Sequence, residues 1–299
     1  MGSRERRRVL LTSDDDVFAA RAAERLRADP IGTSVLATVL AGTRAGRPQP
    51  PGSHWIVVED GDRPVGLGLW TAGFEPFLTP MADDDAAAVA DTLHRAGHDV
   101  PEVRGDAATV RAFADRWCRL TGSRATQATS EGVHVLAELC PPTGVAGGGR
   151  SATAADEPLV GAWYRAFERE AHRRDLAEDV VAGRTAMFLR RLATGQLLLW
   201  TDGAGDPVSL AGWQLPPGPS GEGTARVGPV YTPPPARRHG YAAAVTAAAT
   251  RAALDAGAGR VMLYTDLANP TSNGVYARLG YRRVGEAASW TFAAPGEPS

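Results

Sequence analysis

Val17, Phe18, Ala20 and Leu26 recur at helical spacing behind the acidic run Asp14 to Asp16, which predicts a helix over residues 14–28. A second helix is expected over 31–42, with Thr33 or Ser34 as its cap. The pattern then changes to apolar strand runs at 55–59 and 65–70. The link Asp60-Gly-Asp-Arg-Pro64 reads as a hairpin. A third strand is expected at 74–78. Residues 83–96 and 107–120 return to helical spacing around a short strand at 103–105. Residues 125–139 are strand-like, with a break at Glu131-Gly132.

Pro141 to Arg150 carries two prolines and the run Gly147-Gly-Gly149, the composition of a linker. Two domains are therefore expected, 1–143 and 151–295, with the linker at 144–150. Beyond it, Leu159, Trp163, Phe167 and Ala171 keep i, i+4 spacing and predict a helix over 156–173. A helix at 178–193 follows, then strands at 196–201, 208–215 and 225–232. The pattern closes with a helix at 241–255, a strand at 260–265, a helix at 270–279 and short strands at 281–284 and 289–292. Both halves share a coarse plan of paired helices, a hairpin, a further strand and more helices. No residue-level repeat accompanies it.

Composition narrows the classes. The 299 residues, 43% of them hydrophobic, are enough for about two domains with their own cores. A net charge of −2 gives no general attraction to nucleic acid or anionic membrane. All 32 basic residues are arginine. Cys118 and Cys140 form neither a metal spacing nor a disulfide framework. Only Val9-Leu10-Leu11 follows the basic N-terminus before acidic residues begin. That is too short for a signal peptide, and no run approaches a membrane span, so a cytoplasmic protein is expected.

The chemistry gathers around Arg237-Arg-His-Gly-Tyr-Ala242. It lies between an apolar strand ending in Pro233-Pro-Pro235 and an alanine-rich helix. A glycine at a helix entrance permits close backbone approach, and first-turn N–H groups lack helical partners, so such an end attracts phosphate. Gly-Lys-Ser/Thr and Gly-x-Gly-x-x-Gly are both absent from the loop. Upstream, Pro229 cannot donate to a sheet ladder and predicts an edge or bulge. A strand parted there would offer backbone groups near Val230, Tyr231 and Thr232 to an extended ligand.

A second constellation, Thr265 to Tyr276, contains Asn269 as a helix cap and Pro270 as a first helical residue. Asn269, Asn273 and Tyr276 fall near one edge of that helix. Read alone, Tyr276 is more readily an amphipathic core residue than a catalytic one.

Together the two constellations resemble the GNAT superfamily of acyl-CoA N-acyltransferases, over roughly residues 151–293. Arg237 to Ala242 is similar to its Arg/Gln-x-x-Gly-x-Gly/Ala signature, and Asn269 with Tyr276 to its second motif. The resemblance implies an α/β (α+β) fold of two tandem GNAT-like domains, each a mixed, mostly antiparallel central sheet flanked by helices. The first would be degenerate, since Phe74 to Pro80 follows its hairpin without a glycine helix entrance. The implied donor is acetyl-CoA, with no metal. Arg237, Arg238, His239, Gly240, Tyr241 and Ala242 would form the donor loop, the backbone of 238–242 holding the pyrophosphate. Val230, Tyr231 and Thr232 would pair with the pantetheine arm, which Asn269 would also touch. Tyr276 would be the general acid. Arg238, at a position where relatives often carry glycine, and Pro235 depart from the pattern.

The general base stays open among Glu168, Glu170, His172, Glu178, Asp179 and Asp266. Trp200, Trp213 and Tyr231 are candidates for an acceptor pocket, with core packing the competing reading for the tryptophans. The expected acceptor is a small-molecule amine or a peptide, without nucleic-acid or membrane partners, in a monomer or homodimer. The first half is expected to wall the acceptor site or support assembly. Alternatives are a non-catalytic acyl-CoA-binding or scaffolding protein, and transfer of a longer acyl group.

Overall fold

Asp14 accepts hydrogen bonds from the N–H groups of Asp16 and Val17, which starts α1 (Asp15–Ala28) where the acidic run predicts it. The computed structural model describes residues 7–171, 177–217 and 222–294. The chain divides into two units: residues up to Gly132 together with those from Gly285 onward, and Val133–Val284.

In the first unit, β1 (Arg8–Thr12) precedes α1, and α2 (Ser34–Arg44) follows it. Then come β2 (His54–Asp60), β3 (Arg63–Trp70), β4 (Phe77–Leu78), α3 (Asp83–Arg95), β5 (Glu102–Asp106) and α4 (Ala107–Thr121), leading into β6 (Arg124–Leu136). Neighbours along β1-β2-β3-β4 are antiparallel, and β4 with β5 is parallel. Phe18, Leu36, Trp55 and Leu67 are buried on one side, with Phe18 stacked on Trp55 at 4.1 Å. Val89, Leu93, Phe113 and Trp117 form a second core. The run Val9-Leu10-Leu11 is β1, with Val9 and Leu11 against that core and Leu10 against the first, so three apolar residues suffice for an edge strand.

The second unit contains β7 (Gly148–Ser151), α5 (Glu157–Ala171), α6 (Glu178–Leu189), β8 (Leu197–Thr201), β9 (Pro207–Gln214) and β10 (Thr224–Tyr231). It continues with α7 (Tyr241–Asp255), β11 (Arg260–Asp266) and α8 (Pro270–Arg278). Its strands run β7-β8-β9-β10-β11, antiparallel except for the last pair. Trp213, Val227, Val245 and Leu263 are buried on the α7 side, and Val160, Phe188, Leu199 and Leu210 on the α5/α6 side. Thr246 and Thr250 bury their hydroxyls in α7 by donating to carbonyls one turn back.

The last strand, β12 (Tyr281–Ala293), begins in the second unit and ends in the first. There Ala287–Thr291 pair antiparallel with Asp106–Glu102 of β5. The two short strands expected at 281–284 and 289–292 are thus one. The expected break at Glu131-Gly132 is likewise absent, because β6 runs through it.

The glycine-rich segment 144–150, expected as a linker, lies inside the second unit, and Gly148–Ser151 is strand β7. The glycines there permit close backbone approach: a Cβ on Gly147 would lie 1.8 Å from the Thr201 carbonyl oxygen. With β7 counted, the order β-α-α-β-β-β-α-β-α-β occurs twice along the chain. In its first occurrence β4 has two residues, and α3 enters through Ala82 into Asp83, Asp84 and Asp85. Those acids oppose anion binding at that helix end.

Candidate active site

Strand β10 is paired on both sides along its first half only. Thr224, Ala225 and Arg226 sit in parallel register with Arg260, Val261 and Met262 of β11, and the register stops there. Against β9 the pairing shifts between Val227 and Val230. The two residues passed over are Gly228 and Pro229, joined by a cis peptide bond. Proline offers no ladder N–H, and glycine supplies the φ of +140° that the bulge requires. Val230 and Tyr231 then resume pairing with β9 alone. Their edge toward β11 is open, as the position of Pro229 predicts.

A single turn, Pro234–Ala236, leads to the loop. Arg238 lies at φ +70°, where a side chain is strained, and Gly240 at φ +84°. The first bond of α7 runs from Ala244 N to the Gly240 carbonyl at 3.0 Å, and no side chain caps the helix. The N–H groups of residues 238–243 therefore have no protein acceptor among the described residues. Arg238, His239 and Gly240 are exposed, and the rings of His239 and Tyr241 stack at 5.6 Å.

Arg237 faces elsewhere. Its N–H bonds the Pro234 carbonyl, and its Nε donates to the Thr232 carbonyl at 2.9 Å. An Nη donates to Glu170 Oε2 at 2.6 Å. Tyr231 Oη donates to Glu170 Oε1 at 3.1 Å, and the Arg237 guanidinium lies over the Tyr231 ring. Burial, then the Glu170 carboxylate, raise the Tyr231 hydroxyl above the ordinary tyrosine range.

Downstream, Asn269 caps α8 by accepting from Ser272 N at 3.1 Å, and its exposed position places it at the helix entrance. Asn273 ties the turn together, donating to the carbonyls of Asp266 and Asn269. Tyr276 is half-buried on the α7-side core, edge-on to Tyr281 at 6.2 Å. Its hydroxyl has no hydrogen-bond partner among the described residues. Burial pushes it up to about 12, so it keeps its proton at neutral pH.

The base candidates divide. Glu168 is buried and paired with Arg184 at 3.3 Å, and Glu170 serves Arg237 and Tyr231. Glu178 and Asp179 are exposed in the first turn of α6. Asp266 is exposed and accepts from Ala268 N. His172 lies outside the described residues. The tryptophans do not join Tyr231, which faces the α5/α6 side with Trp163 6.4 Å away. Trp213 and Trp200 belong to the α7-side core.

Residues 159–281 match the Acetyltransferase (GNAT) family, a span holding α5, the parted strand, the loop and Tyr276. This segment is a GNAT acetyltransferase domain. Solved structures extend the likeness to the whole chain. A tandem GNAT protein from the clavulanic acid biosynthesis pathway shares 13% identity, with 98% of this chain and 100% of that one covered, at a TM-score of 0.57. A GCN5-related N-acetyltransferase from Sphaerobacter thermophilus shares 14%, with 100% and 99% covered, at 0.60. A Drosophila protein shares 11%, with 97% and 99% covered, at 0.66. At such identities these structures show the fold, a mixed α/β arrangement with mostly antiparallel sheet. No curated protein sequence matches the chain significantly.

Within the GNAT domain one group escapes sequence reading. Arg191, just beyond α6, donates from Nη1 to the Gly228 carbonyl at 2.9 Å, with its guanidinium over the Phe188 ring. It reaches the bulge through the space left by Gly212: a Cβ there would come within 3.0 Å of Arg191, Gly228 and Phe188. An isolated glycine inside the strand 208–215 is the only sequence trace of this interaction.

Proposed function

We propose that the GNAT domain binds acetyl-CoA and transfers its acetyl group directly to an amine on a small molecule or peptide. The observation that carries this reading is the continuity of an open strand edge at Val230 to Thr232 with an uncapped helix entrance at residues 238–243. One segment thereby offers both kinds of backbone donor that an extended arm ending in a pyrophosphate requires. Val230, Tyr231 and Thr232 would take the pantetheine arm as an added strand. Arg238, His239, Gly240, Tyr241 and Ala242 would hold the pyrophosphate, with Arg237 fixing the loop from behind and Asn269 flanking the arm. Bound acetyl-CoA supplies an activated acyl group and a thiol leaving group. Tyr276 holds a proton on a hydroxyl without a competing protein partner, which suits a general acid for that thiolate.

Titration calorimetry with acetyl-CoA, followed by transfer of labelled acetyl across an amine panel, tests the assignment. Saturable binding with transfer to an amine is expected. No binding at millimolar acetyl-CoA would sink it.

One observation favours a second reading, acyl-CoA binding without transfer. Glu168 and Glu170 are both held in ion pairs, and neither is poised for an incoming ammonium. Binding of acetyl-CoA with no transfer to any member of the panel would select that reading. The first unit is assigned the same fold without a donor site, because its helix entrance carries three aspartates and no glycine.

A further inference from the structure

Val227 pairs with Trp213 and Val230 with Ala211, so Gly228 and Pro229 stand opposite one residue of β9, Gly212. Two residues against one make a β-bulge, which disrupts the ladder locally and inverts the alternation of side chains beyond it. The packing records that inversion. Val227 and Val230 are three residues apart, which puts them on opposite faces of a regular strand, yet both pack in the α7-side core. Tyr231 is thereby turned to the other face, where Glu170 accepts its hydrogen bond.

A strand that lost the bulge would slip by one residue. Tyr231 would then turn toward α7 and leave Glu170, and the backbone of residues 230–232 would change its direction. Arg191 stands against that slip. Its Nη1 donates to the Gly228 carbonyl at 2.9 Å, giving the bulge a charged donor where the ladder is interrupted. The guanidinium is itself placed by packing. It lies 5.1 Å from the centre of the Phe188 ring, and Phe188 stacks on Tyr164 at 4.3 Å. Gly212 keeps the passage open, because a Cβ there would press at once on Arg191 Nη1, the Gly228 oxygen and Phe188, each at 3.0 Å.

We propose that Arg191, admitted by Gly212, is the positioning residue of the donor strand. It holds β10 in its parted register and so fixes the backbone of Val230, Tyr231 and Thr232 for the pantetheine arm. This rests on the acetyl-CoA reading above. Arg191 acts through the bulge carbonyl from the α5/α6 side, whereas the loop entering α7 is held separately, by Arg237 on Thr232 and Glu170. The two ends of the donor thus depend on two different arginines.

The test measures acetyl-CoA binding by calorimetry and amide hydrogen exchange of the free protein, both on the full chain. Arg191→Gln should weaken acetyl-CoA by about 10- to 100-fold, the size that one hydrogen bond to a charged group confers. Exchange should quicken in residues 226–232 and stay at the parent rate in α7, because only the brace of the bulge is lost. Arg191→Lys, which keeps a cation but not the planar fork, should restore part of the affinity. Gly212→Ala leaves the arginine in place and crowds its hydrogen bond, so it should weaken binding by about 5-fold or more. Where Arg191→Gln does not fold, Gly212→Ala and Arg191→Lys decide. Parent affinity in the folded variants overturns the proposal, and so does exchange that quickens equally in α7, the mark of general loosening. Either result leaves the acetyl-CoA reading standing. Failure of the parent to bind acetyl-CoA removes both.

Discussion

Glu170 Oε2 accepts from Arg237 at 2.6 Å, and this ion pair fastens the end of α5 to the loop that enters α7. The same carboxylate accepts from Tyr231 with its other oxygen. A group so committed is a clamp on the loop rather than a reservoir for the acceptor's proton. Glu170→Gln should therefore weaken acetyl-CoA binding, raising its KM by about 3- to 10-fold, as expected for a partly exposed charged pair. kcat should change little. A fall in kcat of about 100-fold or more at unchanged KM would restore Glu170 as the base.

Arg238 occupies a backbone conformation that glycine adopts freely. Arg238→Gly should remove about 1 kcal/mol of strain, offset in part by the greater freedom of the unfolded chain. The net expectation is a rise of a few degrees in Tm at most. The same change removes a cation from the proposed pyrophosphate cradle. Thermal unfolding should thus move up in the free protein, while calorimetry shows weaker acetyl-CoA binding.

Tyr276→Phe should leave acetyl-CoA affinity within about 3-fold and lower kcat by about 100-fold or more, the scale of general-acid catalysis. Unchanged turnover would return Tyr276 to the core.

The same hydroxyl predicts a pH dependence of stability. An unfolded tyrosine loses its proton near pH 10, whereas folded Tyr276 holds its proton to about 12. Between those values the unfolded chain binds fewer protons, so stability falls as pH rises from about 10 toward 12. Tyr281 is shifted the same way by burial and adds to the slope. Tm measured against pH should decline less steeply in Tyr276→Phe than in the parent.

Tyr281 also supplies a test of the α7-side core. Its hydroxyl and that of Thr250 are 2.6 Å apart in buried surroundings. Thr250→Val should destabilise by about 1–3 kcal/mol, because the tyrosine hydroxyl loses its buried partner. Chemical denaturation measures the loss, and a value near zero would show that the hydrogen bond contributes little.

The parts of the fold visible in the sequence are those with local causes. Asp14 marks α1 by capping it, Gly240 and the alanine run mark α7, and Pro229 marks the bulge, each through its own backbone chemistry. The turn into α7 at residues 237–242 is readable for the same reason. What stays hidden depends on partners distant in the chain. Gly148 and Gly149 lie in a run of linker composition, and only the approach of β8 makes them strand. Val9 to Leu11 are only a short apolar run between charged residues until β2 lies beside them. Arg191 is one arginine among 32 basic residues until the bulge carbonyl 37 positions away claims it. Glu170 reads as a free carboxylate because nothing near it in sequence reveals Arg237.

The path of β12 bears on how the protein is made. Residues Ala287–Thr291 supply a strand to the first unit's sheet, yet they leave the ribosome after the whole second unit. Through most of translation β5 therefore waits with an unfilled edge, and the N-terminal unit cannot complete its sheet ahead of the rest. Nor can the chain be cut at residue 144 into two independent pieces. The N-terminal fragment would lack a strand, and the C-terminal fragment would carry one with its hydrogen-bonding edge bare, a template for aggregation.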